Sequence, residues 1–208
     1  MSSDLHEWVG ASFLVIVSLA SAASYRRDHL QKQYDDGSRQ RMASPSVFVW
    51  VYAYIRYTTL LAGTAALLWR SDLWLVMYRA PATIYVGMLL ALVGFALFHA
   101  SRRALGQHYS PCFDSYVPTA IVTTGPYQRI RHPIYTANQL ILLGITVLSG
   151  SVWIAANLLL LSYYYTRSAI SEERRLSVEH GDCPVYQSQT GRFLPKMFVR
   201  QDRKQPIQ

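Results

Sequence analysis

Five apolar runs, parted by polar and mostly basic stretches, limit this chain to few folds. They cover residues 8–25, 46–69, 81 to about 100, 134–149 and 152–166. Several approach the roughly 20 residues that cross a bilayer as a helix. Inside lipid the backbone must satisfy its own polar groups, so each such run is read as a helix. Only 15% of the 208 residues are charged, against about 25% in soluble domains. The reading is one all-α, polytopic membrane helix bundle of about five transmembrane helices. Residues 1–100 supply three N-terminal spans, and residues 101–208 supply a C-terminal helical hairpin with polar flanks.

The charge pattern orients that bundle. The chain carries 20 Lys and Arg and a net charge of +8. Such a balance can mean nucleic acid, but these residues flank apolar runs, which fits a membrane surface and no nucleic-acid partner. Seventeen of the 20 fall in residues 26–44, 101–133 and 167–208, and only Arg70 and Arg79 fall in the alternate segments. The remaining one, Arg56, interrupts the second run. The positive-inside rule then expects the N-terminus outside and the C-terminus in the cytosol. Asp4 and Glu7 precede the first run with no Lys or Arg beside them, so a retained helix is expected there and not a secretory signal. Cys112 and Cys183 are far apart, and neither belongs to a paired-cysteine metal motif. Neither a disulfide framework nor a metal site is expected.

Residues 125–135 read Gly-Pro-Tyr-Gln-Arg-Ile-Arg-His-Pro-Ile-Tyr. Two arginines, a histidine and two tyrosines crowd between apolar segments there. Proline suits the first turn of a helix, so Pro133 predicts a helix over 134–149 with Arg131 and His132 at its mouth. A helix N-terminus offers unpaired N–H groups and partial positive charge, which suit a polar or negative ligand group. The turn Ser149-Gly150-Ser151 joins this helix to the next. So short a link makes the two antiparallel neighbours. The hairpin therefore returns the polar stretch after Thr166 to the face that holds residues 125–133. Glu172, Glu173, Arg174 and Arg175 lie there, on a continuation of the last helix. At helical spacing one of the paired acids looks back at the hairpin mouth.

Each part has a plain reading. Arg129 and Arg131 can be interfacial anchors, and His132 a helix-entry residue. The Glu-Glu-Arg-Arg run can be a solvated face, and Tyr163, Tyr164 and Tyr165 an aromatic belt. Arg56 can pair within the bundle or snorkel. Asn138 and Gln139 can bond between helices. The joint pattern is more specific than any of these.

The joint pattern consists of Leu105-Gly106, Ile121 through Tyr127, Arg131-His132-Pro133-Ile134-Tyr135, Glu172-Glu173 with Leu176, Gly181, Tyr186 and Arg192-Phe193-Leu194-Pro195. It resembles the isoprenylcysteine carboxyl methyltransferases and the wider group of integral-membrane lipid methyltransferases. The resemblance implies S-adenosylmethionine as methyl donor in a cytosolic pocket capping the bundle. By that likeness Ile121 and Val122 contact the adenosine, Tyr127, His132, Pro133 and Tyr135 line the cofactor, and Glu172 binds its polar or cationic part. Arg131 and Arg167 are the candidates for orienting a lipophilic acceptor from the membrane. Glu173 or His132 is the candidate base for a phenol or thiol. The position four residues before Glu172 is Ser168, with Arg167 beside it, so the acceptor stays open among carboxyl, hydroxyl and thiol. Two other classes remain: an NADPH-dependent sterol-type membrane reductase, and a non-enzymatic membrane bundle.

Overall fold

The computed structural model describes residues 5–20, 46–68, 75–78, 80–106, 122–179 and 183–196. Ile121, Cys112, Gly181 and the basic stretch 26–44 lie outside the described residues. Those residues form six helices: α1 (Leu5–Ala20), α2 (Ser46–Leu68), α3 (Pro81–Leu105), α4 (Pro133–Ser149), α5 (Val152–Glu179) and α6 (Cys183–Gln189). Among them there is no β-strand, only two isolated bridges.

α3 and α4 pack most closely, because small residues line both sides of their contact. A Cβ added at Gly144 would stand 2.6 Å from both Ala91 N and Gly87 O. One added at Gly87 would stand 2.4 Å from Gly144 O. Backbones this near are the mark of small-residue helix packing in membranes. α1 slots beside them, with Gly10 facing Ile84 and Leu67. α2 meets α1 and α5 where Gly63 faces Leu14 and Ile154. One polar tie crosses that contact: Asn157 Nδ2 donates to Thr58 Oγ1 at 2.9 Å and Thr59 Oγ1 at 3.2 Å.

The outer surface is apolar. Trp8, Ile16, Trp50, Tyr57, Leu61, Leu89, Leu92 and Leu159 are all exposed. Soluble proteins rarely show so much apolar surface, and lipid is the solvent that accepts it. α3 is long and apolar enough to cross a bilayer, and α1 and α4 are shorter apolar helices. α3 runs to Leu105, past the expected end near residue 100, and carries Arg102 and Arg103 in its last turn. Basic side chains there oppose the negative helix end, so they extend the helix without breaking it.

The hairpin forms as the turn chemistry requires. Gly150 caps α4 at φ 62°, and its N–H donates to Thr146 O at 2.9 Å. Residues 75–78, between α2 and α3, cross this turn. Met77 N donates to Gly150 O at 2.9 Å, and Val152 N donates to Leu75 O at 3.1 Å. A Cβ at position 150 would meet Tyr78 O at 2.6 Å, so the glycine answers both the backbone angle and the crossing. α5 then runs unbroken for 28 residues, about 42 Å at 1.5 Å per residue. Glu172 lies 20 residues beyond Val152, so it stands about 30 Å along the axis, one bilayer core away. The two acids thus meet the start of α4 at the far end of the hairpin.

Candidate active site

Two crossings of the chain build the floor. The turn Gly125–Gln128 rests on the end of α3, where a Cβ at Gly125 would be 3.2 Å from Ala104 Cβ. Residues 129–132 then lie beside 190–192. Gly191 N donates to Arg129 O at 3.1 Å, Arg131 N to Gly191 O at 2.8 Å and His132 N to Arg192 O at 3.0 Å. α6 is tied to the same floor, since Tyr186 OH donates to Tyr127 O at 2.7 Å. Thr136 Oγ1 donates to Phe193 O at 2.7 Å. These bonds fix the backbone on both sides of His132.

Glu173 is the hub. Arg131 Nε donates to its Oε1 at 2.9 Å. Arg192 closes a two-pronged fork, Nε to Oε1 at 3.1 Å and NH2 to Oε2 at 2.9 Å. His132 Nε2 lies 3.1 Å from Oε1. Only 10% of the Glu173 side chain is exposed. Burial alone would raise its carboxyl; the hydrogen bonds from His132, Arg192 and Arg131 overcome that and hold it well below the usual carboxylate range. Arg131 is fully engaged as well, for its NH1 also donates to the carbonyls of Gln187 and Thr190.

Glu172 is placed differently. Tyr135 OH donates to its Oε1, and its Oε2 is 3.5 Å from His132 Nδ1. The side chain is 35% exposed, yet protein crowds the carboxyl, and burial pushes it above the ordinary range. Water reaches it while surrounding atoms deny it full hydration, which describes an acid inside a crevice. His132 stands between the two acids. Its ring stacks on Tyr135 at 5.3 Å and 7°, and Tyr135 stacks on Tyr165 at 4.4 Å and 5°. Asn138 Nδ2 donates to Tyr165 OH at 2.9 Å. Three parallel rings, one open carboxylate and one locked carboxylate therefore share the end of the hairpin. Such a set can face a cation: the rings offer π-electrons and Glu172 offers charge.

Residues 82–181 match the family of phospholipid methyltransferases. That family belongs to the same integral-membrane methyltransferase group as the isoprenylcysteine enzymes. The class that the match carries is a membrane methyltransferase. Two curated relatives resemble the chain. The nickel-cobalt-cadmium resistance protein NccN of Alcaligenes xylosoxydans xylosoxydans is 30% identical over 135 residues, 62% of this chain and 55% of that protein. The cobalt-zinc-cadmium resistance protein CzcN of Cupriavidus metallidurans is 29% identical over 142 residues, 65% of this chain and 59% of that protein. The chain thus spans a little over half the length of these relatives. Among the described residues no group of three or more His, Cys, Asp or Glu is placed to hold a metal ion.

The matched segment brings together Arg131, His132, Pro133, Tyr135, Glu172 and Glu173 of the residues singled out from sequence. Pro133 is fully buried at the first turn of α4. Tyr127 is buried in the floor, and Val122 is half-buried on the strand of chain leading into it. Arg167 is not brought in. It is exposed, six residues from Glu173, and at 100° per residue it faces about 120° away. Arg131 is turned inward to Glu173, whereas Arg167 faces outward. Arg192 and Tyr165 were missed as site residues. Arg192 lies beyond the matched segment, 19 residues after Glu173. Its signal in the sequence is the Arg192-Phe193-Leu194-Pro195 element. Tyr165 was read as belt; Tyr163 is exposed as a belt residue should be, whereas Tyr165 is fully buried under Tyr135.

Proposed function

We propose that this chain transfers a methyl group from S-adenosylmethionine to the polar end of a lipophilic acceptor at the cytosolic membrane interface. The observation that carries the reading is the unequal pair of acids: Glu173 locked by two arginines, Glu172 open beside stacked aromatic rings. The match to phospholipid methyltransferases supports a membrane lipid as the acceptor class. The residues fit the cofactor, since a sulfonium and an ammonium favour carboxylate and aromatic faces. S-adenosylmethionine held there would supply an electrophilic methyl carbon to the acceptor's lone pair, with S-adenosylhomocysteine as the leaving group.

In this reading Glu172 binds the cofactor's cationic part, and His132, Tyr135 and Tyr127 line its pocket with Pro133. Val122 borders the adenosine. Glu173 acts as a positioning residue: it holds Arg131, Arg192 and His132 in place, and a carboxylate held so low in proton affinity makes a poor base. An acceptor that sheds a proton gives it to His132, the ring between the acids. Arg167, exposed on the outer side of α5, is where the acceptor's polar head is first met before it enters the site. An outside N-terminus and five crossings put this site in the cytosol, in keeping with the basic residues.

Calorimetric titration of the detergent-solubilised protein with S-adenosylhomocysteine and with NADPH tests the reading. Binding of the first alone is expected. Binding of NADPH alone would replace the methyltransferase by a reductase.

A further inference from the structure

α4 holds a polar group that the bundle leaves unanswered. Gln139 Nε2 is buried, and among the described residues it has no hydrogen-bond partner. Its neighbour Asn138 is answered by Tyr165. A buried donor without an acceptor is costly, and natural structures leave few of them. The position of this one is informative. Gln139 follows Tyr135 by four residues and His132 by seven, so it shares their side of α4 and lies about 6 Å and 10 Å farther along the axis. Leu143, one turn on, is exposed. The strip His132, Tyr135, Gln139, Leu143 thus leads from the polar site toward the apolar outer surface. A lipid with its head at the site and its tail leaving along this strip would pass Gln139.

Resting on the reading of a lipid methyltransferase, we propose that Gln139 selects the acceptor by donating its Nε2 hydrogen to an acyl-ester carbonyl oxygen. An ester carbonyl is uncharged, accepts strongly and sits below a lipid's head, at the depth where the amide waits. An ether lipid of equal length lacks that oxygen and leaves the donor unpaired. Gln139 is then a specificity-determining residue one helical turn below the reacting end.

The test uses the full chain in detergent with saturating S-adenosylhomocysteine. Its probes are dioleoyl phosphatidylethanolamine and the matching diether lipid, whose amine head can take a methyl group. The wild-type chain is expected to bind the diester about tenfold more tightly. Gln139→Leu and Gln139→Met are expected to bind both lipids alike, at the diether affinity, with S-adenosylhomocysteine affinity unchanged. Their lipid-free melting temperatures are expected to stay level or rise, since an unpaired donor has been removed. Equal wild-type binding of the two lipids, a preference that survives both substitutions, or a fall in lipid-free melting temperature for both variants overturns the inference. Any of these, with S-adenosylhomocysteine still bound, leaves the methyltransferase reading standing. Failure to bind S-adenosylhomocysteine removes that reading and this one together.

Discussion

Adjacent acids on one helix should respond in opposite ways to the same substitution. Glu173→Gln keeps the shape of the side chain but turns an NH2 group toward a donor it formerly accepted. Glu173 accepts from Arg131, Arg192 and His132 with 10% of its side chain exposed. Removing one partner of a buried ion pair costs about 3–5 kcal/mol. The Arg192 side chain is 37% exposed and recovers some water, so the low end, about 3 kcal/mol, is expected. For a chain of this size each kcal/mol moves the melting temperature by about 2–4 °C, giving a fall of roughly 6–12 °C. Glu172→Gln removes a charge that burial disfavours and keeps an oxygen for Tyr135 OH. Its melting temperature should move by less than about 4 °C, while S-adenosylhomocysteine affinity falls by about 1.5–3 kcal/mol, the usual worth of a hydrogen bond to a charge. Thermal unfolding in detergent, followed by tryptophan fluorescence with and without ligand, measures both quantities. If Glu172→Gln loses as much stability as Glu173→Gln, or if Glu173→Gln melts like the wild type, the division into open and locked acids is wrong.

The remaining predictions are briefer. Burial raises the Glu172 carboxyl above its ordinary 4.5, so between 4.5 and the raised value the folded chain holds a proton that the unfolded chain has released. Stability should therefore fall as pH rises through that window, while S-adenosylhomocysteine affinity rises, and Glu172→Gln should flatten both slopes. Glu173 is depressed, so its stabilisation should be present above 4.5 and lost as pH falls toward its lowered value, a dependence that acid unfolding of Glu173→Gln should lack. Gly144→Leu forces a side chain against the backbone of Ala91 and Gly87 and should destabilise by at least about 1–3 kcal/mol, read as a lower melting temperature. Arg167→Lys should leave S-adenosylhomocysteine affinity and melting temperature unchanged and raise the acceptor KM; loss of cofactor binding instead would put Arg167 in the cofactor site. Cysteines introduced at the exposed positions Leu5, Leu75 and Val178 should label 5 and 75 from one side of the membrane and 178 from the other, and labelling of 5 and 178 from the same side would refute five crossings.

What the chain declares in its sequence is what depends on near neighbours. Pro133 begins α4, Gly150 ends it, and helical spacing aims the two acids at His132, all through contacts a few residues long or across one tight hairpin. Arg192 could not be placed this way. It reaches Glu173 only because α6 turns the chain back and residues 190–192 pair with 129–132, a crossing between segments about 60 residues apart. Nor does a run of three tyrosines tell which one faces inward. Successive residues on a helix differ by 100°, and the choice of Tyr165 over Tyr163 depends on where Tyr135 stands on α4. Arg131 shows the same limit. Its place beside His132 was legible, but its engagement with Glu173 and two carbonyls on the far segment was not.

The floor of the site also has a consequence for the making of the protein. Glu173 leaves synthesis after Arg131 and His132 but before Arg192, and at about 5–20 residues per second the fork that completes its bonding arrives roughly one to four seconds later. Until then no Arg192 fork answers the Oε2 oxygen, and Arg131 lacks the carbonyls of Gln187 and Thr190. The helical hairpin can assemble in the membrane during that interval, because its turn and its glycine-lined contact with α3 are already made. The end of the hairpin cannot become a binding site until residues 187–192 have crossed it. Insertion and completion are thereby separated in time, and the unfinished chain has no closed floor around Glu173.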